Sequence, residues 1–250
     1  MTRLISGVAL AAAAVVAILF LPLVALRLVS CVVAVLAAHE FLRIAGKGAP
    51  VPVLILVAAS CWLIATPGDG RIIFLLLVCL IWVAMEVLWG NIPLTDAATR
   101  FLAPWYVGMP MGMLVAIHGT GGRWATLILL GTVVVSDSAQ YYSGRQFGRT
   151  PLAPAISPKK TVEGALGGLL LAPIFMAAAG SWLLGAPPLP LLGLGVVVVA
   201  LGIAGDLFES RLKRASGLKD SSSLIPGHGG VLDRIDALLF ATPAFYLYLR

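Results

Sequence analysis

The feature that most constrains this chain is a succession of nine long apolar runs separated by short polar connections. A transmembrane helix requires roughly 20 consecutive, mostly apolar residues, and most of the runs approach that length. The predicted spans are residues 4–24, 28–45, 51–66, 71–89, 101–118, 124–143, 162–184, 189–208 and 231–249. Because a backbone in lipid must satisfy its own hydrogen bonds, the runs predict an all-α, polytopic integral membrane protein with about nine transmembrane helices.

The composition supports this class of protein. Hydrophobic residues make up 60% of the chain and charged residues 11%, which is too little charge for a soluble surface or for a disordered chain. The first run is longer than the apolar core of a typical signal peptide, so we expect it to remain as a membrane helix. A single membrane domain is predicted over residues 1–250, with hydrophobic helices over 1–125 and the polar loops concentrated in 126–250.

The positions of Lys and Arg predict the orientation of the chain. With nine spans, four of the 17 Lys and Arg residues face one side, namely Arg27, Arg71, Arg123 and Arg250, and the others face the opposite side. Because positively charged loops stay in the cytoplasm, the N-terminus and the loops 144–161 and 209–230 are predicted to be cytosolic. We therefore expect an integral membrane protein with a cytosol-facing site. The net charge of +6 is attributed to topology and lipid headgroups, and nucleic-acid binding is not expected.

One carboxylate, Asp137, lies inside a predicted span. Helical spacing places Gln140, Tyr141 and Gly144 on the same face. A carboxylate at that depth costs several kcal/mol, by order of magnitude, unless it meets a cation, a donor or water. A polar contact between two helices is one explanation. The small and basic residues of the segment 143–148 favour the other, an anionic ligand.

A second polar segment, residues 157–164, has the sequence Ser-Pro-Lys-Lys-Thr-Val-Glu-Gly. With Ser157 as the N-cap and Pro158 at the first helical position, it predicts the start of a helix. The N-terminal end of a helix carries partial positive charge, so Lys159 and Lys160 are unfavourable there unless an anion such as phosphate binds. The P-loop spacing is absent. Alternatively, the two lysines only set the topology and contact lipid headgroups.

The strongest polar constellation joins the end of span eight to the start of span nine. One helical face carries Asp206, Glu209, Ser210 and Lys213, and the next helix carries Asp233 and Asp236 on one face. If the two ends meet, carboxylates and cations converge as divalent ions and phosphates require; mutual salt bridges are the alternative. His228 lies in a glycine-rich turn, where it either donates to phosphate and handles a proton or merely completes the turn.

These segments resemble the sequence signature of the phosphatidate cytidylyltransferases, also called CDP-diacylglycerol synthases. The matching positions are Lys213-Arg214, Lys219-Asp220, Pro226, His228-Gly229-Gly230, Asp233-Arg234 and Asp236, and, in an earlier block, Asp137, Tyr141, Gly144-Arg145, Phe147-Gly148 and Ser157 through Gly164. Together the blocks cover about the C-terminal half of the chain. In the other half, Glu40 matches a position that is often acidic in the family.

The resemblance implies metal-assisted, in-line transfer of CMP from CTP to phosphatidic acid, which gives CDP-diacylglycerol and pyrophosphate for phospholipid biosynthesis. It makes residues 126–250 the catalytic half and implies Mg²⁺ or another divalent cation in a two-metal site. The expected metal ligands are Asp206, Asp233 and Asp236, followed by Asp137 and Glu209. The expected phosphate-binding cations are Lys159, Lys160, Lys213, Arg214, Lys219 and Arg234, with Lys219 also counted as catalytic. Ser157, Thr161, Ser210 and His228 are expected to position phosphate oxygens, with His228 also counted as catalytic.

The expected partners are CTP, phosphatidic acid, membrane lipids and a second copy of the chain in a homodimer. Two other functions stay open from the residues alone. A CTP-dependent lipid kinase acting on a polyprenol or phytol would use similar membrane geometry but release CDP. An anion transporter would also place a carboxylate and lysines near the membrane midplane, although related halves would then be expected.

Overall fold

The computed structural model describes residues 2–46, 48–66, 70–90, 92–225, 227 and 229–250, with side chains from residue 6 onward. The described α-helices are α1 (Thr2–Phe20), α2 (Leu23–Ile44), α3 (Val51–Ile64), α4 (Arg71–Trp89), α5 (Leu94–Ala103), α6 (Met109–Phe147), α7 (Val162–Leu184), α8 (Pro188–Ala215) and α9 (Leu232–Tyr248). A π-helical turn, Pro104–Gly108, joins α5 to α6. Two short strands, β1 (Pro151–Ala153) and β2 (Ser157–Thr161), form an antiparallel hairpin.

Five helical stretches within the described residues are long and apolar enough to cross a membrane: Leu23–Ile44, Arg71–Trp89, Leu94–Phe147, Val162–Leu184 and Pro188–Ala215. Two shorter apolar helices are Ser6–Phe20 and Val51–Ile64. The all-α architecture with several membrane-spanning helices is confirmed. The count of nine spans and the cytoplasmic N-terminus stay predictions.

The predicted fifth and sixth spans belong to one helical stretch, Leu94–Phe147. The π-helical turn begins at Pro104, whose ring prevents regular α-helical bonding to the preceding turn. The buried Ser60 hydroxyl donates to the Pro104 carbonyl at 3.1 Å. Farther along, Gly122 has φ +74° and ψ −177°, a conformation that essentially only glycine adopts. The connection expected between the two spans is therefore one non-helical glycine.

The chain divides into two compact units. The N-terminal unit consists of Met1–Gly119 and Asp220–Arg234, and the C-terminal unit consists of Thr120–Lys219 and Ile235–Arg250. In the N-terminal unit, α3 packs against the π-helical turn and the start of α6. A Cβ added to Gly108 would collide with the Ser60 side chain, so the absence of a side chain permits this close approach.

Glycines also determine the packing of the C-terminal unit. Gly195 of α8 lies against Pro173 of α7, and a Cβ at this glycine would be 2.6 Å from the proline Cα. Gly168 of α7 lies against Ser136 and Gln140 of α6. Because small residues let helix backbones approach closely in lipid, α7 lies directly beside both α6 and α8.

The helix start predicted at Ser157 is wrong. Residues Ser157–Thr161 form β2, and α7 begins at Val162. Thr161 has extended dihedrals (φ −120°, ψ 154°), and its hydroxyl accepts a hydrogen bond from the Gly164 N–H at 3.1 Å. This threonine is therefore the N-cap, because it directly precedes the apolar run, whereas the residues before it pair with β1.

The corrected helix start predicts different effects for two hydroxyl deletions. Thr161→Ala removes the N-cap hydrogen bond and is expected to lower the free energy of unfolding by about 1 kcal/mol. Ser157→Ala, the matched control in β2, is expected to change it by less than about 0.5 kcal/mol. Thermal unfolding of the purified variants in detergent measures both changes. Equal losses from the two variants would contradict the assignment of the cap.

Candidate active site

A cavity of about 370 Å³ lies in the C-terminal unit. Its lining comes from the end of α6, from β2, from the first turn of α7 and from α8. The lining residues are Asp137, Gln140, Tyr141, Gly144, Arg145, Lys159, Lys160, Thr161, Gly164, Ala165 and Asp206. Five residues with predicted site roles, Asp137, Lys159, Lys160, Thr161 and Asp206, therefore share one cavity.

Beside the cavity, α6 and α7 approach each other closely through glycine. A Cβ on Gly164 would be 2.7 Å from the Gln140 carbonyl oxygen, and a Cβ on Gly144 would be 2.9 Å from the Thr161 hydroxyl oxygen. The hairpin is fixed at its base by Glu163, whose carboxylate accepts hydrogen bonds from the backbone N–H groups of Arg149 (3.1 Å) and Thr150 (3.2 Å). These contacts hold the two lysines of β2 beside α6 and α7, where both line the cavity.

The charged centre of the cavity is an ion pair between Lys160 of β2 and Asp206 of α8. Both side chains are partly exposed, at 22% and 32% of their surface, respectively. The Ser210 hydroxyl, one turn along α8, donates to Asp206 Oδ1 at 3.3 Å. Because a partly exposed ion pair contributes little to stability, Lys160 can exchange Asp206 for an anionic ligand at small cost.

A second carboxylate, Asp236 in the first turns of α9, lies within electrostatic range of the carboxylates of Asp206 and Asp137 and of the Lys213 ammonium group. The position of Gly205 explains this proximity: a Cβ there would be 2.6 Å from the Asp236 carbonyl oxygen, so α8 and α9 touch beside Asp206. The Asp236 Oδ1 atom accepts a hydrogen bond from the Ala237 N–H at 2.7 Å. Like charges held together in a partly buried place repel, and a bound cation relieves that repulsion.

The carboxylates at this place fit a hard divalent cation that takes most of its ligands from water and substrate phosphates. Within the residues that the structure describes, no three His, Cys, Asp or Glu side chains form a ready metal cage. Mg²⁺ is usually held by one or two carboxylates, with water and substrate phosphates completing its octahedron. The carboxylates of Asp206 and Asp236 have the chemistry for this kind of site.

Other residues with predicted roles in this unit have different surroundings. Glu209 is fully buried and pairs with Lys213 one turn later, with 2.6 Å between Oε2 and Nζ. Arg214 is exposed, and its guanidinium donates to the carbonyls of Ile156 and Leu218, both at 3.3 Å. Lys219 is exposed in the loop after α8, and Ser157 begins β2 without lining the cavity. Their predicted roles with phosphate or metal stay predictions.

In the N-terminal unit, Asp233 in the first turn of α9 is held by the loop before it. Its Oδ2 atom accepts hydrogen bonds from the Ser221 N–H (2.9 Å), the Ser221 hydroxyl (2.7 Å) and the Gly230 N–H (2.7 Å). The neighbouring Arg234 is exposed. The predicted contribution of His228 lies outside the described residues.

The cavity also contains Arg145, which the sequence analysis placed in a small and basic segment that favours an anionic ligand but did not name as a site residue. Arg145 is on the wall of the cavity, eight residues after Asp137 on α6. Two helical turns separate these positions, so the periodicity that groups Gln140 and Tyr141 with Asp137 also reaches the arginine. The position of Arg145 in the cavity agrees with the anionic ligand that the sequence analysis favoured for this segment.

A sequence model described as the cytidylyltransferase family matches residues 1–250. The chain belongs to the cytidylyltransferase family. A phosphatidate cytidylyltransferase of Mycobacterium bovis is 33% identical over 270 residues, which covers 98% of this chain and 87% of the relative. One from Haemophilus influenzae is 44% identical over 172 residues, covering 64% of this chain and 59% of the relative.

Other family relatives are matched over shorter stretches. A phosphatidate cytidylyltransferase of Aquifex aeolicus is 46% identical over 126 residues, covering 49% of this chain and 46% of the relative. The chain thus spans about half the length of several curated relatives that it matches. Because the chain belongs to the cytidylyltransferase family, nucleotide phosphates are the first ligands to test on the lysines and carboxylates of the cavity.

Proposed function

We propose that the protein transfers CMP from CTP to phosphatidic acid, forming CDP-diacylglycerol and pyrophosphate. The observation that carries this proposal is the cavity that Lys159 lines and in which Lys160 pairs with Asp206, with Asp236 on the neighbouring helix α9. Two phosphate-bearing substrates require cations, and a metal-assisted displacement requires carboxylates at the same place. Family membership and the names of the relatives support the choice of CTP and phosphatidic acid.

In the proposed reaction a phosphate oxygen of phosphatidic acid attacks the α-phosphorus of CTP. A new P–O bond forms while the bond from the α-phosphorus to the oxygen that bridges to the β-phosphorus breaks, and the electron pair leaves with pyrophosphate. No protein nucleophile is needed. Lys159 and Lys160 would bind phosphate oxygens, and Arg145 offers a planar guanidinium for bidentate contact.

Magnesium or another divalent cation is the proposed cofactor, with Asp206 and Asp236 as its first candidate ligands and Asp137, Asp233 and Glu209 as further candidates. When bound, it neutralises the charge that develops on the phosphate oxygens. Until then, Lys160 and Ser210 hold the Asp206 carboxylate in one orientation. The acidic residues thus act as ligands and the lysines as phosphate clamps.

The proposed setting is the inner membrane, with the cavity facing the cytosol, where CTP is available. The helices that flank the cavity are apolar, so the acyl chains of phosphatidic acid would stay among the membrane lipids while its phosphate enters the cavity. A homodimer is proposed from the family resemblance. Light scattering of the detergent-purified protein, with the detergent contribution subtracted, measures its mass against 26.1 kDa for one copy.

The deciding experiment uses the full-length protein in mixed micelles with phosphatidic acid, Mg²⁺ and CTP labelled at either the α or the γ phosphate. Cytidylyl transfer is expected to move the α label into lipid and to release pyrophosphate, with no product in EDTA. Transfer of the γ label to an added polyprenol or phytol would instead identify a lipid kinase. If neither label enters lipid over a range of metals, the proposed reaction is wrong and anion transport becomes the hypothesis to test.

Removal of the lysine of the central ion pair is expected to weaken substrate binding. Lys160→Met keeps the aliphatic stem but removes the charge opposite Asp206, so the KM for CTP is expected to rise at least about tenfold, which corresponds to ~1.4 kcal/mol. Arg123→Met is the matched control, because Arg123 is an exposed cation of the same unit outside the cavity. Unchanged KM values for both substrates in Lys160→Met would contradict the role of Lys160.

A further inference from the structure

Glu40, near the end of α2, is a buried carboxylate with only 4% of its surface exposed. Its Oε1 atom accepts hydrogen bonds from the Ser222 hydroxyl (2.6 Å) and the Val231 N–H (3.1 Å). Its Oε2 atom accepts from the Leu232 N–H (2.8 Å) and lies 2.9 Å from the Ser221 hydroxyl oxygen. Both oxygens are thus occupied by hydrogen-bond donors, which is the environment of an anchoring anion rather than of a metal ligand.

All of these donors come from residues 220–234, which we call the signature loop. The donor residues are 181 to 192 positions away from Glu40 in sequence, yet the signature loop belongs to the same compact unit. Two of the donors, the N–H groups of Val231 and Leu232, are at the N-terminus of α9, where the helix dipole favours a negative charge. Burial of a carboxylate is costly without such partners, so the loop and Glu40 stabilise each other.

The Ser221 hydroxyl connects Glu40 to Asp233. Its oxygen lies 2.9 Å from Glu40 Oε2 and 2.7 Å from Asp233 Oδ2. A hydroxyl has one proton and donates to one carboxylate at a time, so the two negative charges are held close together. Backbone N–H groups compensate for their repulsion, with those of Ser221 and Gly230 bonded to Asp233.

The hydrogen-bonded groups around Glu40 and Ser221 leave no space for a side chain at position 230. A Cβ added to Gly230 would collide with both the Ser221 hydroxyl and the Glu40 carboxylate. Gly229 beside it has φ +79°, a left-handed conformation that costs other residues energy. Gly229 and Gly230 therefore permit the close approach of the backbone to the two carboxylates.

We infer that Glu40 is a positioning residue for the proposed reaction: through Ser221 and the N-terminus of α9 it fixes the carboxylate of Asp233. This inference rests on the proposed function only for the role of Asp233 as a ligand of the catalytic metal. Residues that orient a metal ligand typically contribute 10- to 100-fold to metal affinity or activity. The anchoring of the loop is a property of the folded chain and can be measured without turnover.

The test compares Glu40→Gln with Glu86→Gln in the full-length protein. Glutamine is isosteric, but its NH₂ group would face N–H and O–H donors of the loop. Glu86 is the matched control, because it is a carboxylate of the same unit that does not bond to the loop. Its Oε1 atom accepts a hydrogen bond from Arg100 Nη1 at 2.7 Å. Hydrogen–deuterium exchange of peptides covering residues 220–234 reports the anchoring, and the Mg²⁺ concentration for half-maximal rate reports the effect on the site.

We expect Glu40→Gln, and not Glu86→Gln, to increase exchange in the signature loop and to raise the Mg²⁺ requirement roughly 10- to 100-fold. Unchanged exchange in Glu40→Gln would overturn the inference, and so would faster exchange with an unaltered Mg²⁺ requirement in an active enzyme. If the wild-type protein makes no CDP-diacylglycerol, the proposed function fails, whereas the exchange measurement still decides whether Glu40 anchors the loop.

Adjacent serines provide a second comparison that does not depend on the folding of Glu40→Gln. Ser221 contacts both carboxylates, whereas Ser222 contacts only Glu40 of the two. Ser221→Ala is expected to raise the Mg²⁺ requirement about tenfold or more, and Ser222→Ala by less than about threefold. Equal Mg²⁺ requirements in the two variants would show that Ser221 does not transmit the effect of Glu40.

Discussion

Asp206→Asn is expected to lower the rate of CDP-diacylglycerol formation by about 10³-fold or more, equivalent to ~4 kcal/mol of transition-state stabilisation. Asparagine keeps the shape of the side chain but removes the charge that pairs with Lys160 and faces Asp236. The initial rate with saturating CTP and Mg²⁺ in mixed micelles measures this effect.

The same substitution is expected to leave the fold intact. The ion pair is partly exposed, and its loss is offset by relief of the repulsion between Asp206 and Asp236, so the free energy of unfolding should change by less than about 1 kcal/mol. Asp96→Asn, in the first turn of α5, is the matched control and should retain near-normal turnover. A folded Asp206→Asn variant with near-normal turnover would exclude the carboxylate as a metal ligand.

Gly205→Ala is expected to have the second largest effect, although it adds only a methyl group. The new Cβ would be 2.6 Å from the Asp236 carbonyl oxygen and 3.0 Å from the Phe240 ring. Because backbone atoms cannot yield as a flexible side chain does, α8 and α9 must separate, and the spacing of Asp206 and Asp236 changes. We expect a loss of about 1 to 3 kcal/mol in unfolding free energy and a turnover reduced at least about 100-fold.

Gly193→Ala on the same helix is the control for this prediction. A Cβ at Gly193 meets no atom within 4 Å, so alanine should stabilise α8 by up to about 1 kcal/mol through its higher helix propensity. Thermal unfolding in detergent and the rate of CMP transfer are measured for both variants. The close packing of α8 on α9 would be refuted by Gly205→Ala and Gly193→Ala behaving alike.

The sequence predicts those helices best whose ends are marked by an abrupt change in polarity. The predicted spans 71–89 and 162–184 match Arg71–Trp89 and Val162–Leu184. The predicted eighth span ends at residue 208, although the helical face predicted from Asp206 to Lys213 extends beyond it, and α8 continues to Ala215. Its last turns are amphipathic and include the Glu209–Lys213 ion pair one turn apart, and a count of apolar residues does not detect such a continuation.

Part of the candidate site could also be predicted, because its residues cluster in sequence. Asp137, Lys160 and Asp206 come from three motifs that the sequence analysis singled out, and they line one cavity. The error over Ser157 arose because a proline and a possible cap precede the lysines, although pairing of β2 with β1 decides the local structure. The role of Glu40 required the fold, since Ser221 is 181 residues away.

The interleaving of the two units has a consequence for biosynthesis. The N-terminal unit includes Asp220–Arg234, so a ribosome must synthesise the whole of Thr120–Lys219 before that segment exists. At about 5 to 20 residues per second, the 181 residues between Glu40 and Ser221 take roughly 10 to 40 s. During this time the Glu40 carboxylate lacks the hydrogen-bond donors that residues 221–232 supply in the finished protein, so the anchoring of α2 to the start of α9 is a late event in biosynthesis.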